Sequence, residues 1–301
     1  MRMRRMTRQI LQRTALTMAF VVSLAGLTGP TALAQTPAPS TSGDAGITYY
    51  LALGDSLSQG YQNKKITDRG YVDALYATLK VKQPQLKLKK LGCPGESTTT
   101  MINGGICPYA EGSQLAEAKE FIKDHQGKIA KITITIGSND VLRSSTDGTE
   151  CVGASGIIAT CALAGISDVR KNLPKILKPL RDMTGRDAAR AGMTYYDPYL
   201  AAWLQGPTGQ ALAKQSLTYI NLLNGVLALG YLTNGFRVAP VAFAFQTNNF
   251  RTQNFPRLGD VPTNVGTICT YTLMCPAGDI HANDIGYLKI ADVFARTFGR
   301  W

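Results

Sequence analysis

The run KIAKITITIG, residues 128–137, carries isoleucine or threonine at nearly every position after its lysines. A strand with one wet face alternates apolar with polar residues. A nearly continuous β-branched run instead fits a strand covered on both faces. Strands of that kind belong to parallel sheets flanked by helices, and the rest of the chain supplies the matching parts. Strand-like segments recur at 47–53, about 86–91, 193–196 and 237–245. Helical patterns lie between and after them: GYVDALYATLK, SQLAEAKEFIKDH, DVRKNLPKILKPLRDM, GQALAKQSLTYINLLNGVLALGYL and DIGYLKIADVFARTF. Strands alternating with helices predict an α/β fold with a mostly parallel sheet and a helical layer on each side.

Residues 1–34 are expected to stand outside that fold. Arg2, Arg4, Arg5, Arg8 and Arg13 precede the apolar run ALTMAFVVSLAGL, which gives way to small residues with Ala32 and Ala34 at A-x-A spacing. This order is that of a secretory signal peptide. The apolar run is short for a bilayer span, so stable membrane insertion is not expected. Arg4-Arg5 permits twin-arginine export as well as the general route. Residues 35–46, QTPAPSTSGDAG, are too poor in apolar side chains to pack and read as a flexible lead-in. Residues 47–301 then fit one α/β domain, secreted and expected to be a monomer.

The net charge of +12 loses five arginines with the leader and falls to +7. The densest basic stretch, LKVKQPQLKLKK, alternates lysine with apolar residues, as the solvated face of a strand does. No nucleic-acid partner is expected. All six cysteines follow the leader and fall in sequence-local pairs: Cys93 with Cys107, Cys151 with Cys161, and Cys269 with Cys275. An even count in an exported chain points to disulfides. With no C-x-x-C and only two histidines, a metal site ranks well behind, and no cofactor is expected.

In a parallel sheet the loops after the strands gather on one edge, where ligands bind. Four polar elements fall there in order. Ser56 follows the first strand in YYLALGDSLSQGY. Gly95 follows the second in LGCPGESTTT. Gly137 and Asn139 follow the third in TIGSND, and His281 sits just before the last helix in GDIHANDIGY. Serine needs a base to attack near neutral pH. His125 ends a charged helical stretch and suits a solvated helix terminus, so His281 is the candidate. The Ser56 N–H, the Gly95 N–H and the Asn139 amide would be three donors for a developing oxyanion. Taken singly, each is equally a turn or cap residue; their joint order favours a site.

These motifs, GDSLS, PGEST, GSND and DIH before a closing helix, make the chain resemble the SGNH hydrolases, also called the GDSL esterases and lipases. The similarity is greatest to secreted, disulfide-bearing bacterial members. It implies a three-layer α/β/α fold with a five-stranded, flavodoxin-like sheet. It also implies Ser56 as nucleophile, His281 as general base, and Ser56, Gly95 and Asn139 as the oxyanion hole. The family pattern puts an aspartate three residues before the histidine, where this chain has Gly278. Asp279, a main-chain carbonyl near Gly278, and Asp284 are the three candidates for orienting His281, with Asp284 better suited to opening the last helix.

A trypsin-like protease would need an early histidine, a late serine and an all-β pattern, and an α/β-hydrolase would need G-x-S-x-G; the chain has neither. Esters of small molecules, lipids or carbohydrates remain open as substrates. So do polysaccharide O-deacetylation and, as a non-catalytic alternative, an exported binding protein. The apolar segment CVGASGIIATCALAG is a candidate lining for an acyl pocket.

Overall fold

The computed structural model describes residues 46–145, 147–153 and 156–299; the expected leader and nearly all of the lead-in lie outside the described residues. A five-stranded parallel sheet runs in the order β2-β1-β3-β6-β7. Its strands are β1 (Thr48–Gly54), β2 (Leu86–Lys90), β3 (Ile129–Thr135), β6 (Ala189–Met193) and β7 (Arg237–Ala239). Two hairpins stand apart from it: β4 (Val152–Gly153) with β5 (Gly156–Ile157), and β8 (Thr252–Phe255) with β9 (Gly259–Pro262). The five-stranded, flavodoxin-like order is the expected one.

Helices α1 (Tyr71–Lys82) and α10 (Asp284–Phe298) pack on each other, as do α3 (Gln114–Asp124), α5 (Ala159–Thr184) and α6 (Pro207–Thr233). The sheet lies between these helical layers. Strand β3 at its centre is covered on both faces, as its β-branched run predicts: Ile132, Thr133, Ile134 and Thr135 are all fully buried. Buried threonines need partners, and Tyr50 and Thr133 share a hydrogen bond of 2.7 Å between their hydroxyls. The lysine-rich β2 is an edge strand in which Leu86 is buried, Lys87 exposed and Leu88, Lys89 and Lys90 half-buried.

Two segments depart from expectation. The apolar run 237–245 is not one strand: β7 stops at Ala239 and, after Pro240, the chain turns into helix α7 (Val241–Ala244). Val241 and Phe245, four residues apart, are fully buried while Phe243 is 78% exposed, which is helical spacing. Residues 194–196 follow β6 as loop, and α5 begins nine residues before its expected start, at Ala159.

Chain direction across the sheet reverses between β1 and β3, with β2 on one side and β6 and β7 on the other. The crevice outside the carboxyl ends of β1 and β3 is therefore the switch point at which such folds bind ligands.

Candidate active site

Ser56 opens a short 3-10 helix (Ser56–Gln59) directly after β1. The tight exit from the strand depends on Gly54, whose φ is +131° and where a Cβ would lie 2.1 Å from the Thr135 carbonyl oxygen. No other residue fits there. Asp55 then anchors the turn. Its buried carboxylate accepts hydrogen bonds from Leu57 N (3.0 Å), Thr135 Oγ1 (3.1 Å), Ser138 Oγ (3.1 Å) and Tyr195 OH (2.5 Å). Burial pushes the Asp55 carboxyl up, and those four donors offset part of that shift. One side chain thus ties the Ser56 turn to residues at or just beyond the ends of β3 and β6.

The loop after β2 brings in Gly95, whose backbone has φ +86° and where nothing lies within 4 Å of a Cβ position. The loop is pinned by the Cys93–Cys107 bond and by Glu96. Glu96 Oε2 accepts from Gln114 Nε2 at 2.8 Å, and the Gln114 amide pairs with both main-chain groups of Gly54 (2.6 and 3.0 Å). Helix α4 (Ser138–Leu142) follows β3 and carries Asn139, whose Nδ2 donates to Glu96 O at 2.9 Å. The next residue, Asp140, accepts from Thr98 N and Oγ1 in helix α2 (Thr98–Asn103), and burial raises its carboxyl to about 7.

His281 lies just before α10. Its Nε2 is 2.8 Å from Ser56 Oγ and its Nδ1 is 2.5 Å from Asp279 Oδ1. Asp279 Oδ1 also accepts from His281 N (3.1 Å), and Oδ2 accepts from Asn63 N (3.0 Å). Burial disfavours the charge on Asp279, but the bonds from His281 and Asn63 outweigh it and hold the carboxyl below its ordinary value. The segment is fixed from behind: helix α8 (Thr263–Tyr271) leads into short helix α9 (Met274–Ala277), and Cys269 bonds Cys275. Leu273 N donates to His281 O at 2.9 Å, Tyr196 OH donates to Ile280 O at 2.9 Å, and the Tyr61 ring lies 4.8 Å from the His281 ring.

Ser56, Gly95, Asn139 and His281 line one cavity of about 270 Å3. Two residues weighed from sequence lie elsewhere. His125 caps the end of α3 against Phe121 O (2.9 Å) and packs beside Tyr49 and Phe121. Asp284 accepts from Gln62 Nε2 (2.7 Å) and pairs with Arg69 (3.0 Å) in the first turn of α10. The Cys151–Cys161 pair closes the third loop. Among the described residues, no group of three or more His, Cys, Asp or Glu is placed to hold a metal ion.

Sequence reasoning gave no role to Asp55, Asp140, Glu96, Gln114, Tyr195 or Asn63. Asp55, Glu96 and Asp140 lie within the GDSLS, PGEST and GSND motifs, so their positions are legible in the sequence. Gln114, Tyr195 and Asn63 carry no local signal, because they act across the fold.

A profile described as GDSL-like Lipase/Acylhydrolase matches residues 50–294. Among solved structures, the chain is similar to an alpha/beta hydrolase enzyme from the metagenome of Lake Arreo, Spain, at 16% identity over 84% of this chain and 95% of that one, TM-score 0.52. It is also similar to an acetylxylan esterase from Geobacillus stearothermophilus at 14% identity over 84% and 95% of the two chains, TM-score 0.50. At such identities the likeness is one of fold. No curated protein matches the chain.

Proposed function

Since the chain belongs to the GDSL-like lipase/acylhydrolase family and is thus a carboxylic ester hydrolase, we propose that it works through an acyl-enzyme on Ser56, with His281 as base and Asp279 as the residue that orients it. The observation that carries this reading is the continuous hydrogen-bonded line from Ser56 Oγ through the His281 ring to Asp279.

His281 Nε2 takes the Ser56 proton as Oγ attacks the ester carbonyl. The imidazolium that forms is stabilised by the Asp279 carboxylate, which keeps Nδ1 protonated and Nε2 free to accept. The carbonyl oxygen becomes an oxyanion, and the donors proposed for it are Ser56 N–H, Gly95 N–H and the Asn139 amide. An amide carries two N–H bonds; Glu96 O occupies one on Asn139, which fixes the group and leaves the other for substrate. Collapse of the intermediate expels the alcohol, which takes the proton from His281. Water then repeats the sequence with the acyl-enzyme, releasing the acid.

Export belongs to the same proposal. Residues 1–34 act as the signal peptide and 35–46 as a lead-in to the domain, and three cysteine pairs at bonding distance suit an oxidising compartment. No helix among the described residues is long and apolar enough to cross a membrane.

Hydrolysis of p-nitrophenyl esters by the wild type and by Ser56→Ala tests the catalytic reading. The substitution should abolish turnover while leaving the circular dichroism spectrum unchanged. Retained turnover in the Ser56→Ala protein would contradict it.

A further inference from the structure

The cavity onto which Ser56 and His281 open is much larger than an acetyl group needs. Its volume is about 270 Å3, near the lower end of the range of small-molecule pockets. Its walls combine five tyrosines with the aliphatic side chains of Val141, Leu142, Val152, Ile157, Ile220 and Leu223. Asp197 also lines it, but its two oxygens are engaged by Tyr199 N (3.0 Å) and Ser216 Oγ (2.7 Å), so no carboxylate oxygen there is left without a donor. No lysine or arginine is among the described residues that line it.

One wall of this cavity is built into the site. Helix α4 starts beside the site with Asn139 and continues into Val141 and Leu142. Leu142 O accepts from Cys151 N at 2.9 Å, Cys151 O accepts from Ile158 N at 2.8 Å, and Cys151 bonds Cys161. Within that closed segment Val152 pairs with Ile157 across the β4–β5 hairpin. Val152 and Ile157 are therefore held in register beside the helix that carries Asn139.

We infer that this cavity is an acyl pocket for medium-length chains, with Val152 and Ile157 of the cystine-closed segment setting the length it accepts. The inference rests on the esterase reading above and narrows it: the substrates are esters of medium-chain fatty acids rather than acetyl esters. Each methylene that moves from water into such a pocket adds up to about fourfold to kcat/KM.

A series of p-nitrophenyl esters from acetate to palmitate, with Ser56 labelling by a fluorophosphonate followed in parallel, tests this. For the wild type, kcat/KM should climb from acetate to a maximum at hexanoate or octanoate and fall again by dodecanoate. Ile157→Trp, with Val152→Trp as a second variant should the first not fold, should lower the octanoate-to-acetate ratio at least about tenfold. An acetate optimum in a protein whose Ser56 is labelled would overturn the acyl pocket and leave the esterase reading intact. So would an unmoved ratio in a folded variant. Absence of both hydrolysis and labelling would overturn the two together.

Discussion

Asp279 and His281 are separated by a single residue, yet one carboxylate oxygen of Asp279 meets both the main-chain N–H and the ring Nδ1 of that histidine. The turn is made by Gly278, which ends α9 with φ +65° and sends the chain back. A glycine occupies the position where the family pattern has its aspartate, and it enables its neighbour to reach the ring.

If Asp279 fixes the tautomer of His281, Asp279→Asn should lower kcat by on the order of a thousand- to ten-thousandfold. Asp284→Asn is the comparison. Its partners are Gln62 and the exposed Arg69, so it should leave kcat nearly unchanged and cost under about 1 kcal/mol of stability. Steady-state kinetics on the two proteins side by side decides this; a collapse with Asp284→Asn alone would reverse the assignment.

Asn139→Ala should reduce kcat about a hundred- to a thousandfold with little change in KM, as expected for a donor that acts on the transition state. A rise in KM alone would mean that Asn139 binds the ground state instead.

Asp197 gives a pH dependence of stability with a definite sign. Burial raises its carboxyl from 3.8 to about 7, so the folded protein holds this proton more tightly than the unfolded chain does. The stabilisation is complete below about pH 4 and is lost as pH rises through about 7, up to about 4 kcal/mol in all. Asp55, Glu96 and Asp140 are also raised by burial and act in the same direction. Asp197→Asn should reduce the pH dependence of the denaturant midpoint between those limits, leaving the part that comes from Asp55, Glu96 and Asp140. The new amide can be satisfied, because Ser216 Oγ already lies 3.0 Å from Ala213 O and can turn to donate there. An unchanged pH profile in this variant would show that Asp197 is ionised throughout.

The cystines differ in what their loss should cost. The Cys93–Cys107 bond spans 14 residues, and Cys93→Ala with Cys107→Ala should remove about 3 kcal/mol. The Cys269–Cys275 bond spans only 6 and should matter less to stability. It nevertheless holds the segment behind His281, so Cys269→Ala with Cys275→Ala should lower kcat before it lowers Tm. Peptide mapping without reductant should recover the same three pairs.

What was legible in the sequence follows from range. The strand β3 and the order of motifs could be read locally, because a doubly covered strand is β-branched throughout and strand-end residues converge in any parallel sheet. The stretch 237–245 misled because its apolar residues suit a strand as well as a buried helix; only the exposure of Phe243 separates the two. The anchors Gln114 and Tyr195 were invisible for the opposite reason. Gln114 joins Gly54 to Glu96, and Tyr195 reaches Asp55 across 140 positions of sequence. Nothing in the residues around either one reports such partners.

The central claim is that Ser56 is made nucleophilic by His281. Its most direct test is a fluorophosphonate probe at one equivalent, followed by intact mass and peptide mapping, on the wild type, His281→Ala and His125→Ala. Labelling should fall on Ser56 alone, disappear with His281→Ala and persist with His125→Ala. Labelling at any other serine, or its loss with His125→Ala but not His281→Ala, would contradict the account.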